Sequence, residues 1–572
     1  MDFLNRFRKK LNKDDLQQIK RECLWLWAGI KKYRRTILAV GILALLGTVM
    51  SLTSSVVSKY LIDAVTGYGT DTIGIAVVMM VVMTLGGLLL QALSSRVNAR
   101  AHVRVRNQMQ YKVYGRILRA AWEKTEVYRS GDLLSRLNTD INTVADGTIG
   151  FVPSFCTTGI RFAGAFCIIL YYDPTMALIA MTAAPVTLIA SNYLMKRLRR
   201  HSLAMKELDS EVMSFQEDSL RNLTSIKAFD AVDRYRREMG KVQAHYADTY
   251  LAFNSFRIGM STLLSLISMT VMAACFGWGV YQLWTGEITY GSMIMFLQLA
   301  GVLRGSFSSL VSLAQQGISM TTSAGRIMAI EDLPRENDQV ISGLEEETHV
   351  DIVLKQATFH YQSGDVVLHA FDFNACDGDQ VAIMGPSGQG KTTLLRILLG
   401  LVEPCTGIAE VIGSTGRSYP ISAGTRRLFA YVPQENSIFT GTIAQNLRIV
   451  APEATESEME QALKVACAWD FVKQFPDGLN HPLGAGGRGV SEGQAQRLAI
   501  ARALLRKAPV LLLDEATSGL DVATERQLME NLRRSGMVRT CILVTHRPDS
   551  VEFCNRAYEI RNGQISEVPH GT

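Results

Sequence analysis

The run Gly385-Pro386-Ser387-Gly388-Gln389-Gly390-Lys391-Thr392-Thr393 follows an apolar, strand-like segment, Val381-Ala382-Ile383-Met384, and leads into a helical pattern over Thr393–Leu401. Glycines at 385, 388 and 390 let backbone N–H groups close on phosphate oxygens, with Ser387 among them, and the helix start behind them adds a favourable dipole. In this strand–loop–helix setting the spacing is that of a P-loop. Lys391 then reaches the β/γ-phosphates, Thr392 can hold Mg²⁺, and Thr393 completes the phosphate-binding set. Farther along, the apolar strand Val510-Leu511-Leu512-Leu513 ends in Asp514-Glu515. Phosphoryl transfer to water needs one carboxylate on the metal and one on the water. Asp514 is the expected metal ligand and Glu515 the expected base.

The elements that must position these residues belong to two unlike parts. After about residue 349, strand-like runs alternate with helical patterns, which implies an α/β domain. Before residue 330, six windows are long and apolar enough to span a bilayer: Ile37–Val57, Thr72–Ser95, Gly147–Tyr172, Pro174–Met195, Ile258–Trp284 and Ile288–Ala314. The three short connections, Asp63–Asp71, Tyr171–Pro174 and Thr285–Gly291, carry no Lys or Arg, whereas the two long ones are rich in both, so both long loops and both termini are expected in the cytoplasm. Helical periodicity over Gln108–Ala121 and Val212–Phe229 makes the long loops continuations of the membrane helices, with turns expected at Trp122–Gly131 and Ala228–Arg234. Such turns could touch a soluble domain.

Composition excludes other classes. Lys plus Arg number 59 against 53 Asp plus Glu, a net charge of +6 that argues against nucleic acid as a partner. The nine cysteines are scattered without a C-x-x-C pair, so neither a disulfide framework nor a zinc site is implied. The segment before residue 36 is charged, carries Trp25, Trp27 and Lys31-Lys32-Tyr33-Arg34-Arg35, and reads as an amphipathic helix on the inner leaflet. It is too short for a peptidase-like extension.

Between the P-loop and Asp514 lies Val490-Ser491-Glu492-Gly493-Gln494-Ala495-Gln496-Arg497, opening a helix. With it the chain resembles the ATP-binding cassette transporters, specifically exporter-type half-transporters with six helices fused to one nucleotide domain. The resemblance implies a multidomain fold: an all-α polytopic membrane domain with cytoplasmic helix extensions, plus an α/β P-loop ATPase domain. The expected divisions are an elbow over 1–35, the membrane domain over 36–330, a linker over 331–348 and the cassette over 349–572. It further implies that Tyr361 stacks on adenine and that Gln434 senses Mg²⁺. Ser491 and Gly493, with Gln494 beside them, match the signature that closes on the γ-phosphate held by an opposite subunit. Asp521 resembles the carboxylate that couples the two sites, and His546 the switch histidine. Two departures stand out: the signature reads VSEGQ, with Glu492 between the phosphate-facing positions, and the stretch around Ala485 lacks an acidic residue common in the family.

The resemblance implies an ATP- and Mg²⁺-dependent exporter in a bacterial inner membrane, moving an amphipathic drug, lipid, lipid-linked molecule or small peptide outward by alternating access. One cassette per chain requires a second half-transporter, and because Lys391, Asp514, Glu515, Ser491 and His546 are all present, an identical copy is favoured. A nucleotide-gated channel or regulator would tolerate loss of the base that this chain keeps at Glu515; an importer on the same scaffold is not separated by the motifs. Arg304, Ser308, Ser312, Gln315 or Gln316 and Ser319 recur on one face of the sixth window, and Arg161 sits midway along the third. Arginine facing lipid is costly, so this stripe is expected to line the pathway and to favour a negative or strongly hydrogen-bonding cargo.

Overall fold

The computed structural model describes residues 13–67, 73–182, 203–337, 341–344, 347–361, 364, 366–434, 437–484 and 487–568. These fall into two compact units: residues up to 119 with 125–333, and residues 120–124 with 334 onward.

The first unit is helical: α1 (Lys13–Lys32), α2 (Arg34–Val65), α3 (Ile73–Leu118), α4 (Trp122–Glu126), whose first three residues belong to the second unit, α5 (Ser130–Ser135), α6 (Ile141–Tyr172), α7 (Pro174–Met181), α8 (203–221), α9 (Leu223–Ala228), α10 (Val232–Thr285) and α11 (Tyr290–Glu331). Five helical stretches among the described residues are long and apolar enough to cross a membrane: Arg34–Val65, Ile73–Leu118, Ser130–Tyr172, Val232–Thr285 and Tyr290–Glu331. They contain five of the six expected windows; the fourth, Pro174–Met195, is described only through residue 182. At 1.5 Å per residue α3 and α10 are about 70 and 80 Å long, more than twice the thickness of a hydrocarbon core. The excess is the pair of helical continuations that the basic loops imply. The second turn falls at Phe229–Ala231, where Asp230 has φ 50 and α10 begins at Val232.

Local chemistry sets the breaks. At the short connection between α6 and α7, Asp173 Oδ1 accepts from the backbone N–H of Thr175 (2.9 Å) and Met176 (3.2 Å), with Pro174 at the first helical position. Gly286, at φ 77, ends α10, and the Thr289 hydroxyl caps the start of α11. Gly147 lets α6 and α11 touch: a Cβ there would lie 2.1 Å from the sulfur of Met320. Large apolar side chains such as Val78 and Leu89 on α3 remain more than 60% exposed, as expected where lipid is the solvent.

A buried ion cluster joins α5, α6, α8 and α11. Asp140, fully buried, ends a π-helical turn (Arg136–Asp140) leading into α6. Its carboxylate lies 3.1 Å from Lys206 Nζ and 3.1 Å from Arg326 Nε and accepts from the Ser323 hydroxyl at 2.8 Å. Arg326 also reaches Asp132 (2.6 Å), the Ser210 hydroxyl (2.7 Å) and the carbonyl of Lys206 (2.9 Å), and Arg136 bonds Asp132 at 2.9 Å. At the end of α11, α1 is fastened by Arg21 to Asp332 (2.9 Å) and by the Trp25 indole N–H to Glu331 (2.9 Å), leaving Trp27 exposed.

The second unit carries two main sheets and a short antiparallel pair, β7 (Gly441–Thr442) with β8 (Pro482–Leu483). β1 (Val350–His360), β2 (Val366–Ala375), β4 (Thr406–Gly413) and β5 (Ser418–Pro420) form an antiparallel sheet in the order β2-β1-β4-β5. The other runs β12-β11-β3-β10-β9-β6, from β3 (Gln380–Met384), β6 (Phe429–Val432), β9 (Val510–Asp514), β10 (Thr540–Val544), β11 (Arg556–Arg561) and β12 (Gln564–Val568). β11, β3, β10, β9 and β6 pair in parallel, and every residue of β9 and β10 is buried, which is why Val510–Leu513 and Cys541–Val544 read as unbroken apolar runs. One core packs the sheets with α12 (Lys391–Leu398); the other packs α13 (Ile443–Arg448), α14 (Glu456–Val465), α16 (Glu492–Leu505) and α17 (Val522–Ser535), with α15 (Trp469–Val472) between α14 and α16 in sequence.

The Asp140 cluster generates a prediction. Asp140→Asn leaves the buried Lys206 and Arg326 one carboxylate short, and removing one partner of a buried ion pair costs about 3–5 kcal/mol. The purified variant is expected to unfold at a clearly lower temperature than the parent; an unchanged midpoint would show that the cluster does not hold these helices.

Candidate functional site

Four loops leave the carboxyl ends of neighbouring parallel strands: the P-loop after β3, His546 after β10, Asp514 and Glu515 at the end of β9, and Gln434 after β6. The side chains meet in that same order. Lys391 Nζ is 3.1 Å from His546 Nε2, His546 Nε2 is 2.8 Å from Glu515 Oε1, and the Gln434 amide donates to Glu515 Oε2 at 2.8 Å. One imidazole nitrogen cannot both accept from Lys391 and donate to Glu515, so one of its two contacts is a hydrogen bond and the other a charge contact.

Backbone geometry explains the residue types. A Cβ on Gly385, at φ 140, would lie 2.3 Å from the carbonyl of Ile560, so only glycine fits the turn. Gly388 (φ 78) and Gly390 (φ 105) also occupy left-handed backbone, and Ser387, just before Gly388, is exposed. α12 starts at Lys391, two residues earlier than the apolar pattern indicates, so Lys391, Thr392 and Thr393 form its first turn. Lys391 is 5% exposed and donates to the carbonyls of Gly385 (2.7 Å) and Pro386 (3.0 Å). Burial pushes its ammonium below the usual lysine range, against the pull of Glu515 and Asp514. Glu515 itself sits at φ 50, a strained conformation for a non-glycine residue that turns its carboxylate out of the strand line.

Asp514 is buried, and desolvation raises its carboxyl above the usual range, opposed by hydrogen bonds from Tyr431 and Thr392. The Thr392 hydroxyl and Asp514 carboxylate therefore already face each other. A hydroxyl and one carboxylate, completed by phosphate oxygens and water, are the hard oxygen donors that Mg²⁺ takes. Among the described residues no group of three or more His, Cys, Asp or Glu could hold a metal ion.

On the other side of α12, Tyr361 packs edge-on against Phe359 with ring centroids 4.8 Å apart, and its hydroxyl is 3.2 Å from Thr393 Oγ1. Arg396 donates to that hydroxyl at 2.9 Å, and its guanidinium lies over the ring of Trp122 at 4.3 Å. Trp122 thus packs in the core of the second unit, where the Ala121 N–H donates to the carbonyl of Pro334 at 2.9 Å.

Ser491, Gln494 and Asp521 do helix-start work within the chain. Ser491 and Gln494 form a reciprocal capping box on α16, and Asp521 accepts from Thr524 N–H (2.9 Å) and hydroxyl (2.7 Å) on α17, which holds its carboxyl below the usual range. Gly493 is fixed by a close approach, since a Cβ there would lie 2.6 Å from the carbonyl of Gly519. Among the described residues none of these four hydrogen-bonds to Lys391, Glu515 or His546. Ala485 lies outside the described residues.

In the first unit, Arg161 and Arg304 are exposed, and neither has an ion-pair or hydrogen-bond partner among the described residues. Arg304 borders a hollow of about 20 Å³ beside Phe307, and Ser308 is exposed. Ser312 lies elsewhere, on a cavity of about 420 Å³.

Comparison with known proteins decides the family. Residues 37–307 match the family described as ABC transporter transmembrane region and residues 368–518 the family described as ABC transporter. The chain belongs to the ABC transporters. It is 27% identical to the alpha-hemolysin translocation ATP-binding protein of Escherichia coli O157:H7, over 95% of this chain and 77% of that one. It is 28% identical to the ATP-dependent lipid A-core flippase of Vibrio cholerae, over 80% of this chain and 79% of that one. A bacterial Atm1-family ABC exporter with ATP bound has the same fold, at TM-score 0.82 and 23% identity, over 94% of this chain and 95% of that one. The chain is therefore an ATP-binding membrane transporter of exporter fold whose ATPase is coupled to transport.

Sequence reasoning passed over three residues of this ABC site. Tyr431 holds Asp514, Arg396 holds Tyr361, and Arg547 ties the end of β10 to the Asp521 loop through the carbonyls of Ser518 (2.8 Å) and Leu520 (2.9 Å). The available signal for Arg396 was its cationic side chain three residues after Thr393, flanked by Leu394, Leu395, Ile397 and Leu398. Its loss should loosen Tyr361. Arg396→Ala is expected to raise the KM for ATP about tenfold, the worth of one hydrogen bond to a charged group, with kcat changed less and partial recovery in Arg396→Lys; steady-state ATPase kinetics check it.

Proposed function

We propose that this chain is one half of a homodimeric, Mg²⁺-dependent exporter in a bacterial inner membrane, with both termini cytoplasmic, that moves an amphipathic cargo outward. The observation that carries this reading is the continuous line Lys391–His546–Glu515–Gln434 at the carboxyl edge of the sheet, in a chain that also carries membrane-spanning helices. Each group has a role suited to its place. Lys391 and the P-loop amides take the phosphates; Thr392, Asp514 and Gln434 would hold a Mg²⁺ ion, which would supply neutralisation of negative charge; Glu515 takes a proton from the attacking water; His546 orients the transferred phosphoryl group. Tyr361 offers a ring to adenine. Ser491 and Gly493, at a helix start suited to anions, and Asp521 serve the nucleotide held by the second copy, which fits their lack of contact with this chain's own Lys391. Phosphates entering the loop draw Lys391 off His546 and release the imidazole to Glu515.

Arg304, Arg161, Ser308 and Ser312 are proposed cargo contacts on the transport path. Support comes from the two exposed guanidinium groups, which have no counter-ion among the described residues, since cations on membrane helices otherwise find partners.

The test separates chemistry from binding. Glu515→Gln is expected to keep nucleotide affinity and lose about 100-fold or more in ATP turnover, the usual worth of a positioned base, while Lys391→Ala is expected to weaken nucleotide binding itself. Near-parental turnover in Glu515→Gln would refute the assignment of the base. For cargo, Arg304→Ala should selectively slow transport of acidic compounds into inverted vesicles, with Arg304→Lys partly restoring it; equal transport of every compound would make Arg304 structural.

A further inference from the structure

The cavity of about 420 Å³ in the membrane unit has the size of a small-molecule pocket, and four helices supply its walls. α6 contributes Asp146, α8 contributes Lys206 and Asp209, α10 contributes Arg257, and α11 contributes Gln315 and Gln316. Charge of both signs therefore faces one space.

These charges differ in how far they are already satisfied. Lys206 is committed: its ammonium, 11% exposed, is held by the buried Asp140 at 3.1 Å. Arg257 is not, because its hydrogen bond among the described residues goes to the neutral amide oxygen of Asn254 at 2.7 Å. Asp209 is bonded to the hydroxyl of Tyr246, also neutral. Asp146, 61% exposed, has only a histidine ring nitrogen, that of His102, at 2.7 Å. A guanidinium and two carboxylates are thus left around one cavity without a fully charged mate among the described residues. Charged groups on membrane helices are kept where they face a watery cavity on a substrate path. The two glutamines add amide donors and acceptors that match those of a peptide bond.

We infer that this cavity is the cytoplasmic entry subsite for the cargo, and that it selects a zwitterion: an ammonium group toward Asp146 and Asp209, an anionic group toward Arg257, and an amide-bearing middle along Gln315 and Gln316. The inference rests on the transport reading above and narrows it to a soluble, peptide-like molecule. An aminophospholipid headgroup shares the ammonium–anion chemistry and is the other source of it. The hollow at Arg304, about 20 Å³, is too small to hold such a molecule, so Arg304 can meet only the anionic end of a cargo already admitted.

The experiment uses the full chain in phosphatidylcholine nanodiscs without nucleotide and reads the thermal unfolding midpoint, which a bound ligand raises by mass action. Trialanine, N-acetyl-trialanine and trialanine amide are titrated in parallel. Trialanine is expected to raise the midpoint, with each blocked peptide about tenfold weaker because one charge-assisted contact is lost. Arg257→Ala should bind trialanine and its amide equally, Arg257→Lys should restore part of the difference, and Asp209→Asn should bind trialanine and the acetylated peptide equally. A parallel arm replaces phosphatidylcholine by phosphatidylethanolamine and omits the peptide. If only that arm raises the midpoint, and both Arg257→Ala and Asp209→Asn abolish the rise, the zwitterion subsite stands and its ligand is the headgroup. Equal response to all three peptides, or no response in either arm, overturns the inference. Basal ATPase of the parent is measured separately: its absence would defeat the proposed transport cycle while leaving the binding result intact.

Discussion

Parallel pairing of β3, β10, β9 and β6 is the constraint on which the chemistry depends. Parallel strands all end at the same edge, so every loop that follows one of them is delivered to the same side of the sheet. Neighbouring strands lie about 4.8 Å apart, within reach of one side chain from the next. Lys391, His546, Glu515 and Gln434 consequently touch in the order of their strands, although Gln434 and Glu515 are 81 residues apart in sequence.

 Lys391 and His546 are 155 apart. The burial that makes Val510–Leu513 and Cys541–Val544 apolar also desolvates Asp514 and Lys391, shifting both toward their neutral forms.

The membrane unit has its own fixed point in the Asp140 cluster. Its helices expose apolar side chains to lipid, which gives them little reason to prefer one another, so polar contacts and close packing must set their register. Two carboxylates and three cations shared among α5, the π-helical turn, α8 and α11 do this, helped by Gly147, which brings α6 against Met320 of α11. Lys206 belongs both to that cluster and to the wall of the 420 Å³ cavity, so the side chains that hold the helices also shape the space between them.

Much of this was legible in the linear chain. The P-loop, the Asp514-Glu515 pair and the spans could be read because each is local: a strand, a tight turn and a helix start lie within a dozen residues, and a membrane span is one continuous apolar run. The roles given to Tyr361, Gln434, Ser491, Asp521 and His546 came from family resemblance, since a single aromatic, amide, hydroxyl, carboxylate or imidazole has no signature of its own. Other relations were out of reach. Nothing adjacent to Arg396 announces that it bonds Tyr361 and lies over Trp122, and nothing near Asp140 announces Arg326. The stripe on the last membrane helix was visible as a face, yet its parts separate in space: Ser312, Gln315 and Gln316 border the larger cavity while Arg304 borders a small hollow.

By itself, then, the sequence determined the local elements, the basic charge of the long loops and the residue types of the phosphate site, because covalent neighbours and hydrophobic period specify those. Only the tertiary structure decided which strand ends lie side by side, which distant cation neutralises which buried carboxylate, and which charges are left facing the cavity at Arg257 and Asp209. Those are matters of packing between segments far apart in the chain, and pairing across such separations is chosen by burial and geometry that no local pattern encodes.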